Sequence, residues 1–220
     1  MRGREVLLEG DPVSVGKILC VGRNYAAHAG EMGEKVPSEP VLFLKPATAI
    51  VRPSGGDLFV PKEFGELHHE VELAVLLGGE GKNLSPERAA RLVAGYAVAL
   101  DLTLREVQAR AKRAGEPWSL AKGFDGAAPM GDFVPASGVA RPENLSLSLD
   151  VNGEIRQKAC TSQMIFSSKD ILAYASRFLT LEKGDILLTG TPEGVGPLVD
   201  GDVLLARIEG LPELRLTMRR

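Results

Sequence analysis

No apolar run in this sequence approaches the ~20 residues that a membrane-spanning helix requires. The opening residues, Met1 to Gly10, lack an apolar segment long enough for a signal peptide. Basic residues are not in excess either. Lys and Arg number 26 against 29 Asp and Glu, a formal net charge of -3, which gives no positive field for nucleic acid. Cysteine is nearly missing: Cys20 and Cys160 stand far apart and match no metal or redox spacing. Two such cysteines fit buried thiols in a reducing compartment, and the expected location is the cytoplasm. The zinc-protease pattern fails because His69-Glu70 runs into Val71-Glu72-Leu73. The Gly78–Lys82 run lacks the first glycine and the Ser/Thr of a phosphate loop, and no G-x-S-x-G occurs. There is no repeat, linker or low-complexity segment. With 44% hydrophobic residues in 220, one sizeable core is expected, in a single unit spanning 1–220 that includes a short strand region at 1–16.

What is present centres on Glu66 to Leu77. Read with period two, Val71, Leu73, Val75 and Leu77 form an apolar row, and His68, Glu70 and Glu72 alternate with it. On a helix, residues two apart diverge by ~200°; on a strand they stand side by side, roughly 7 Å apart. Two carboxylates held together in an apolar strand repel, and a divalent cation would offset that. A solvated edge strand is the plainer alternative. A second strand-like run, Gly95 to Asp101, ends its row of small residues on a third carboxylate. Three carboxylates suit Mg²⁺ or Mn²⁺ and suit zinc poorly.

Elsewhere, Lys17–Gly22 reads as a buried strand that delivers a turn carrying His28 and Glu31, three apart and on one face if helical. Gly30 and Gly33 weaken that turn by roughly 1 kcal/mol each. Such a turn is either a mobile surface helix with no role or a lid, mobile when free and helical over a ligand. Lys45 ends an apolar strand, where a lysine is ordinarily solvated. Ser85-Pro86-Glu87 opens a helix running to Gly95, followed by a strand from Tyr96 to Leu102. Thr103 is placed as the cap of a helix from Leu104 to Ala114, with Arg105 and Gln108 sharing a face. Trp118 to Asp125 reads as an extended run with Lys122 in apolar surroundings, either a site residue or a snorkelling one. Asn152-Gly153 signals a hairpin, Ser167 a helix start, and Thr191 to Gly196 a turn that is structural or offers N–H groups and a hydroxyl to an anion. Strands scattered among three or four helices without strict alternation favour an α+β fold.

Five ordered stretches carry a family resemblance: Val21–His28, Glu39–Pro46, His68–Leu73, Trp118–Phe124 and Leu188–Gly196. Together they resemble the fumarylacetoacetate hydrolase superfamily over nearly the whole chain. The nearest branch in kind holds acylpyruvases and oxaloacetate decarboxylases, together with 2-hydroxyhepta-2,4-diene-1,7-dioate isomerases and 5-carboxymethyl-2-oxo-hex-3-ene-1,7-dioate decarboxylases. The resemblance implies a mixed β-roll with a few peripheral helices and a homodimer. It places Glu70, Glu72 and Asp101 as ligands of Mg²⁺ (or Mn²⁺), His28 and Glu31 as a lid dyad, and Lys122 as the active-site lysine. Arg23, Tyr25, Lys45, Arg105, Gln108 and Thr191 fall at positions implied to contact substrate. The implied substrate is a small 2-oxo acid, chelated so that enolate charge is stabilised, with cleavage of a C–C bond by acylpyruvate hydrolysis or oxaloacetate decarboxylation. Three carboxylates around Mg²⁺ would leave a local charge of about -1. The N-terminal SH3-like domain of the longer hydrolases is missing, which argues against fumarylacetoacetate as substrate. A non-catalytic metal-binding protein would not need His28, Glu31 and Lys122 together, and no aspartyl nucleophile motif supports a phosphatase.

Overall fold

The computed structural model describes residues 4–52 and 56–220; positions 1–3 of the expected N-terminal strand region lie outside them. The rest of that region is a strand pair, Glu5–Leu8 with Asp11–Ser14. The architecture is α+β, with mixed sheets and few helices. A six-stranded sheet runs in the order 134–135, 93–100, 71–77, 186–188, 17–22, 41–46, and the 186–188 and 17–22 strands are parallel. A five-stranded sheet follows the order 154–160, 146–151, 203–208, 214–219, 57–59.

Alternation along the central strands explains how these layers stack. Leu19, Val21, Leu73, Val75, Val98 and Leu187 share one core with Leu149, Leu204 and Leu216 of the five-stranded sheet. Their neighbours Ile18, Cys20, Ala74, Leu76, Ala97 and Leu188 face a second core with Ile50, Met130 and Phe133. Both faces of Val71–Leu77 are therefore buried, so it is a central strand and the solvated-edge reading fails. Burying a Leu or Val side chain fully is worth about 1.5–3 kcal/mol, and this strand contributes on both sides.

The expected strand over 66–77 is in fact two, Leu67–His69 and Val71–Leu77, broken at Glu70. The first piece pairs with Thr103–Leu104 and Gly196–Leu198, and the second enters the six-stranded sheet. The helix opened by Ser85 stops at Ala90, and the next strand starts at Val93, not Tyr96, and ends at Leu100. Thr103 does not cap the following helix. It sits in a short strand, its hydroxyl donates to the Asp101 carbonyl at 3.2 Å, and the helix begins at Arg105. Trp118 to Lys122 is not extended, since Ser119–Lys122 forms one helical turn. The Asn152-Gly153 hairpin is as expected, with φ of 55° and 85°. Ser167 caps the Ser168–Ser176 helix by accepting from Asp170 N.

Candidate active site

Strand register brings the three carboxylates together. Glu72 lies opposite Ala99, and the Asp101 amide donates to the Glu70 carbonyl at 2.8 Å, so Glu70, Glu72 and Asp101 project to one side. One carboxylate oxygen from each falls within 4.8 Å of the others, and all three residues are buried. Glu72 also accepts from Gly190 N at 2.7 Å. Gly190 holds φ +91°, and a Cβ there would come within 2.7 Å of the Asn24 side chain, so glycine is required for this N–H to reach the glutamate.

Three cations surround the carboxylates. Lys122 Nζ is 2.8 Å from both Glu70 Oε2 and Asp101 Oδ2. Arg105 Nη2 is 2.6 Å from Glu70 Oε1, and its other amino group donates to Gln108 at 2.7 Å. Lys45, expected at a solvated strand end, is buried with Nζ 2.7 Å from Asp101 Oδ1. The opposed charges number three and three. Burial alone would raise the Glu70 pKa, but Lys122 and Arg105 hold it far below the usual carboxylate range. Burial would likewise depress Lys122, and the Asp101 and Glu70 carboxylates hold it above the ordinary lysine value. Glu72 has no such partner among the described residues. Burial, then the charges of Asp101 and Glu70, push its carboxyl well up.

These residues fit a hard divalent cation. Their donors are carboxylate oxygens. Asp101 Oδ1 accepts no hydrogen bond among the described residues despite its closeness to Lys45, and Glu72 faces like charge without a countercharge of its own.

A cavity of about 40 Å³ opens onto the triad, and Arg23, His28, Gln108 and Thr191 also line it. His28 sits in the Ala26–Glu31 helix, with Nδ1 3.3 Å from Glu31 Oε2. Gly194 N donates to the same carboxylate at 3.0 and 3.2 Å, docking the helix on the Thr191–Gly196 turn. Gly194 has φ +89°, and any Cβ would lie 2.0 Å from the Arg156 carbonyl oxygen. The Thr191 hydroxyl does not point its hydrogen at the cavity: it donates to the Val71 carbonyl at 2.9 Å and accepts from Gln157 Nε2 at 2.8 Å. Tyr25 is buried outside the cavity lining, with no partner for its hydroxyl among the described residues. Burial, then Glu72, raises its pKa.

Gln157 is a residue that the sequence did not reveal. Its Oε1 accepts from Val71 N at 3.0 Å and contacts His69 Nδ1 at 3.1 Å, while Nε2 holds Thr191 and the Pro192 carbonyl. One amide thus ties the carboxylate strand to the turn that docks the lid. In sequence it sits between Arg156 and Lys158 in a hairpin arm, where it reads as solvated.

This fold and this clustered-carboxylate site define a metal-dependent enzyme, and comparison with known proteins gives its kinship. The chain belongs to the fumarylacetoacetate hydrolase family, whose C-terminal domain profile matches residues 17–219. It is 51% identical over 197 residues to oxaloacetate tautomerase YcgM of Escherichia coli (strain K12), covering 89% of this chain and 90% of that protein. It is 50% identical over 203 residues to the mitochondrial oxaloacetate tautomerase FAHD1 of Bos taurus, covering 92% and 91%. Among solved structures, fumarylpyruvate hydrolase from Pseudomonas aeruginosa in complex with Mn²⁺ and pyruvate superposes with a TM-score of 0.94 at 41% identity, covering 100% of this chain and 97% of that one.

Proposed function

We propose that this chain is a tautomerase of a small 2-oxo acid, with oxaloacetate as the leading substrate, and that it works with Mg²⁺ or Mn²⁺ held by Glu70, Glu72 and Asp101. The observation that carries this reading is a buried His28, braced by Glu31, opening into the same small cavity as the three carboxylates. A bound divalent ion would supply Lewis-acid stabilisation of negative charge on the substrate's keto and carboxylate oxygens. With Nδ1 engaged by Glu31, His28 Nε2 is left to exchange a proton with C3 of the substrate. Lys122 and Arg105 would balance the anion in a largely dry site, and the third cation, Lys45, corrects the charge count made without it. With a divalent ion bound and Glu72 ionised, three carboxylates against three cations and the ion leave an excess of two positive charges, which matches a dicarboxylate. The names of the two tautomerase relatives support the same reading.

Hydrolysis or decarboxylation at the C3 bond is the second reading. It is supported by the likeness to a fumarylpyruvate hydrolase, and the same His28 could activate water. The chain is proposed to act as one catalytic unit and as a homodimer.

The test is the decay of ultraviolet enol absorbance after oxaloacetate enol is added to enzyme with Mn²⁺ or Mg²⁺. Acceleration over the spontaneous rate is expected, with loss after chelation and in Glu70→Gln. No acceleration with either ion would overturn the tautomerase reading.

A further inference from the structure

The strand Glu154–Cys160 inverts the ordinary placement of its residues. It is an edge strand of the five-stranded sheet, and Ile155 on it is 63% exposed while Gln157 is 1% exposed. The cause is a bulge. Leu149 of the neighbouring strand pairs with Gln157, but Asp150 pairs with Ile155, so Arg156 is one residue too many on the edge strand. Such an insertion bends the strand and re-aims the side chains beside it. Exposing an isoleucine and burying an amide both cost stability, and the neighbouring site accounts for them.

The Val71 N–H can only donate and the Pro192 carbonyl can only accept, so the buried amide has one orientation. Its Oε1 accepts from Val71 N at 3.0 Å, and its Nε2 donates to Thr191 Oγ1 at 2.8 Å and to the Pro192 carbonyl at 2.9 Å. Thr191 in turn donates to the Val71 carbonyl at 2.9 Å. Both peptide groups of Val71, the residue between Glu70 and Glu72, are thus tied to one point of the turn. The ends of that turn reach the two halves of the site. Gly190 N holds Glu72, and Gly194 N holds Glu31, which braces His28. Gly194 also rests on the bulge itself, with no room for a Cβ beside the Arg156 carbonyl. Gln157 therefore grips the middle of a segment that has a triad carboxylate at one end and the lid pair at the other. It lies outside the cavity lining, so it acts only through these neighbours.

We propose that Gln157 is a positioning residue for proton transfer: through the Thr191–Gly196 turn it sets the His28–Glu31 pair in register with the three carboxylates. The inference rests on the proton-transfer reading above and adds to it a residue that touches neither substrate nor ion. Proton transfer is sensitive to placement, since an error near 1 Å at the reacting atoms costs about a hundredfold in rate. Binding of an ion by the carboxylates needs no such register with the lid.

Gln157→Met, of similar length but without the amide's hydrogen bonds, tests this in the Mn²⁺-loaded enzyme. The kcat of oxaloacetate enol decay is expected to fall about a hundredfold, with KM and the calorimetric Mn²⁺ affinity little changed. Hydrogen exchange over residues 26–31 should quicken. Glu31→Gln loosens the same segment through the same contact, so the double variant should exchange no faster than the faster single one. An amide with a structural part alone would lower the melting temperature and leave the kcat of the folded, Mn²⁺-loaded protein at the wild-type value. That result, additive quickening in the double variant, or loss of Mn²⁺ binding in Gln157→Met would overturn the positioning role alone. Should Gln157→Met fail to fold, Gln157→Asn carries the same test, because it keeps the amide but is one carbon too short to reach both sides. Absence of enol acceleration by the wild type would overturn the proposal together with the reading on which it rests.

Discussion

Lys122 is where burial and charge meet most sharply, because its ammonium touches two of the three carboxylates. Lys122→Met leaves Glu70 with Arg105 and Asp101 with Lys45 as their remaining partners in the metal-free protein, and breaking a buried pair costs up to about 3–5 kcal/mol. The expected outcome is a lowered melting temperature without metal, partly recovered with Mn²⁺. Oxalate, a planar enolate mimic, should lose far more affinity than Mn²⁺ does, and equal oxalate binding by both proteins would return Lys122 to a structural part. Glu72 supplies a pH dependence. Its folded pKa is raised above the ~4.3 of an unfolded glutamate, so the metal-free folded state keeps a proton that the unfolded chain has lost. The sign is therefore destabilising as pH climbs from the unfolded value toward the folded one. A metal must expel that proton, so Mn²⁺ affinity should rise up to about tenfold per pH unit until Glu72 is ionised, then level off. Glu72→Gln should flatten the slope. The cysteines differ as simply: Cys20 is fully buried with its pKa pushed well up by burial, and Cys160 is partly exposed. One thiol should react with Ellman's reagent in the native protein and two after denaturation.

At the level of elements, the Ala26–Glu31 helix is formed, and its last residue is held by a backbone N–H from a distant turn. Six residues with a glycine among them are far too few to be helical alone, so the docking contact is what holds the helix. Glu31→Gln keeps the shape but weakens the charge-assisted bond. Hydrogen exchange over residues 25–35 should then quicken, while oxalate with Mn²⁺ should slow it in the wild type. His28→Ala should abolish proton transfer and acylpyruvate hydrolysis but affect CO₂ loss from oxaloacetate less, since that step needs neither water attack nor a C3 base. Equal loss of all these activities would defeat the assignment. The sequence made some of this legible and hid the rest for physical reasons. Period-two spacing put Glu70 and Glu72 on one side, and the row of small residues pointed to Asp101, because both signals are local. Lys45 was hidden, because its burial depends on Asp101 and the Lys122 carbonyl, which the chain delivers from 56 and 77 residues away. Gln157 was hidden because polar neighbours surround it in sequence while its own amide is buried. Trp118–Lys122 was misread because a single helical turn is too short to show a period.

For the whole molecule, the Val41–Pro46 strand forms one edge of the six-stranded sheet and leaves Leu44 48% exposed. Leu44 and Phe178, itself 62% exposed, line one shallow apolar groove. An unpaired apolar edge invites association, and the proposed homodimer would cover it. Light scattering should give twice the mass of the 23.5 kDa chain, and Leu44→Asp should shift it toward monomer. The balance of three cations against three carboxylates reaches further than catalysis. Because Glu70 and Asp101 are already paired with Lys122, Arg105 and Lys45, and Glu72 keeps its proton, the core needs no ion to close around them. Chelation should strip the metal while far-ultraviolet circular dichroism stays native, and adding Mn²⁺ back should restore activity without a refolding lag. Such an enzyme can be synthesised in a metal-starved cell, persist as an intact reserve, and be switched on by supply alone.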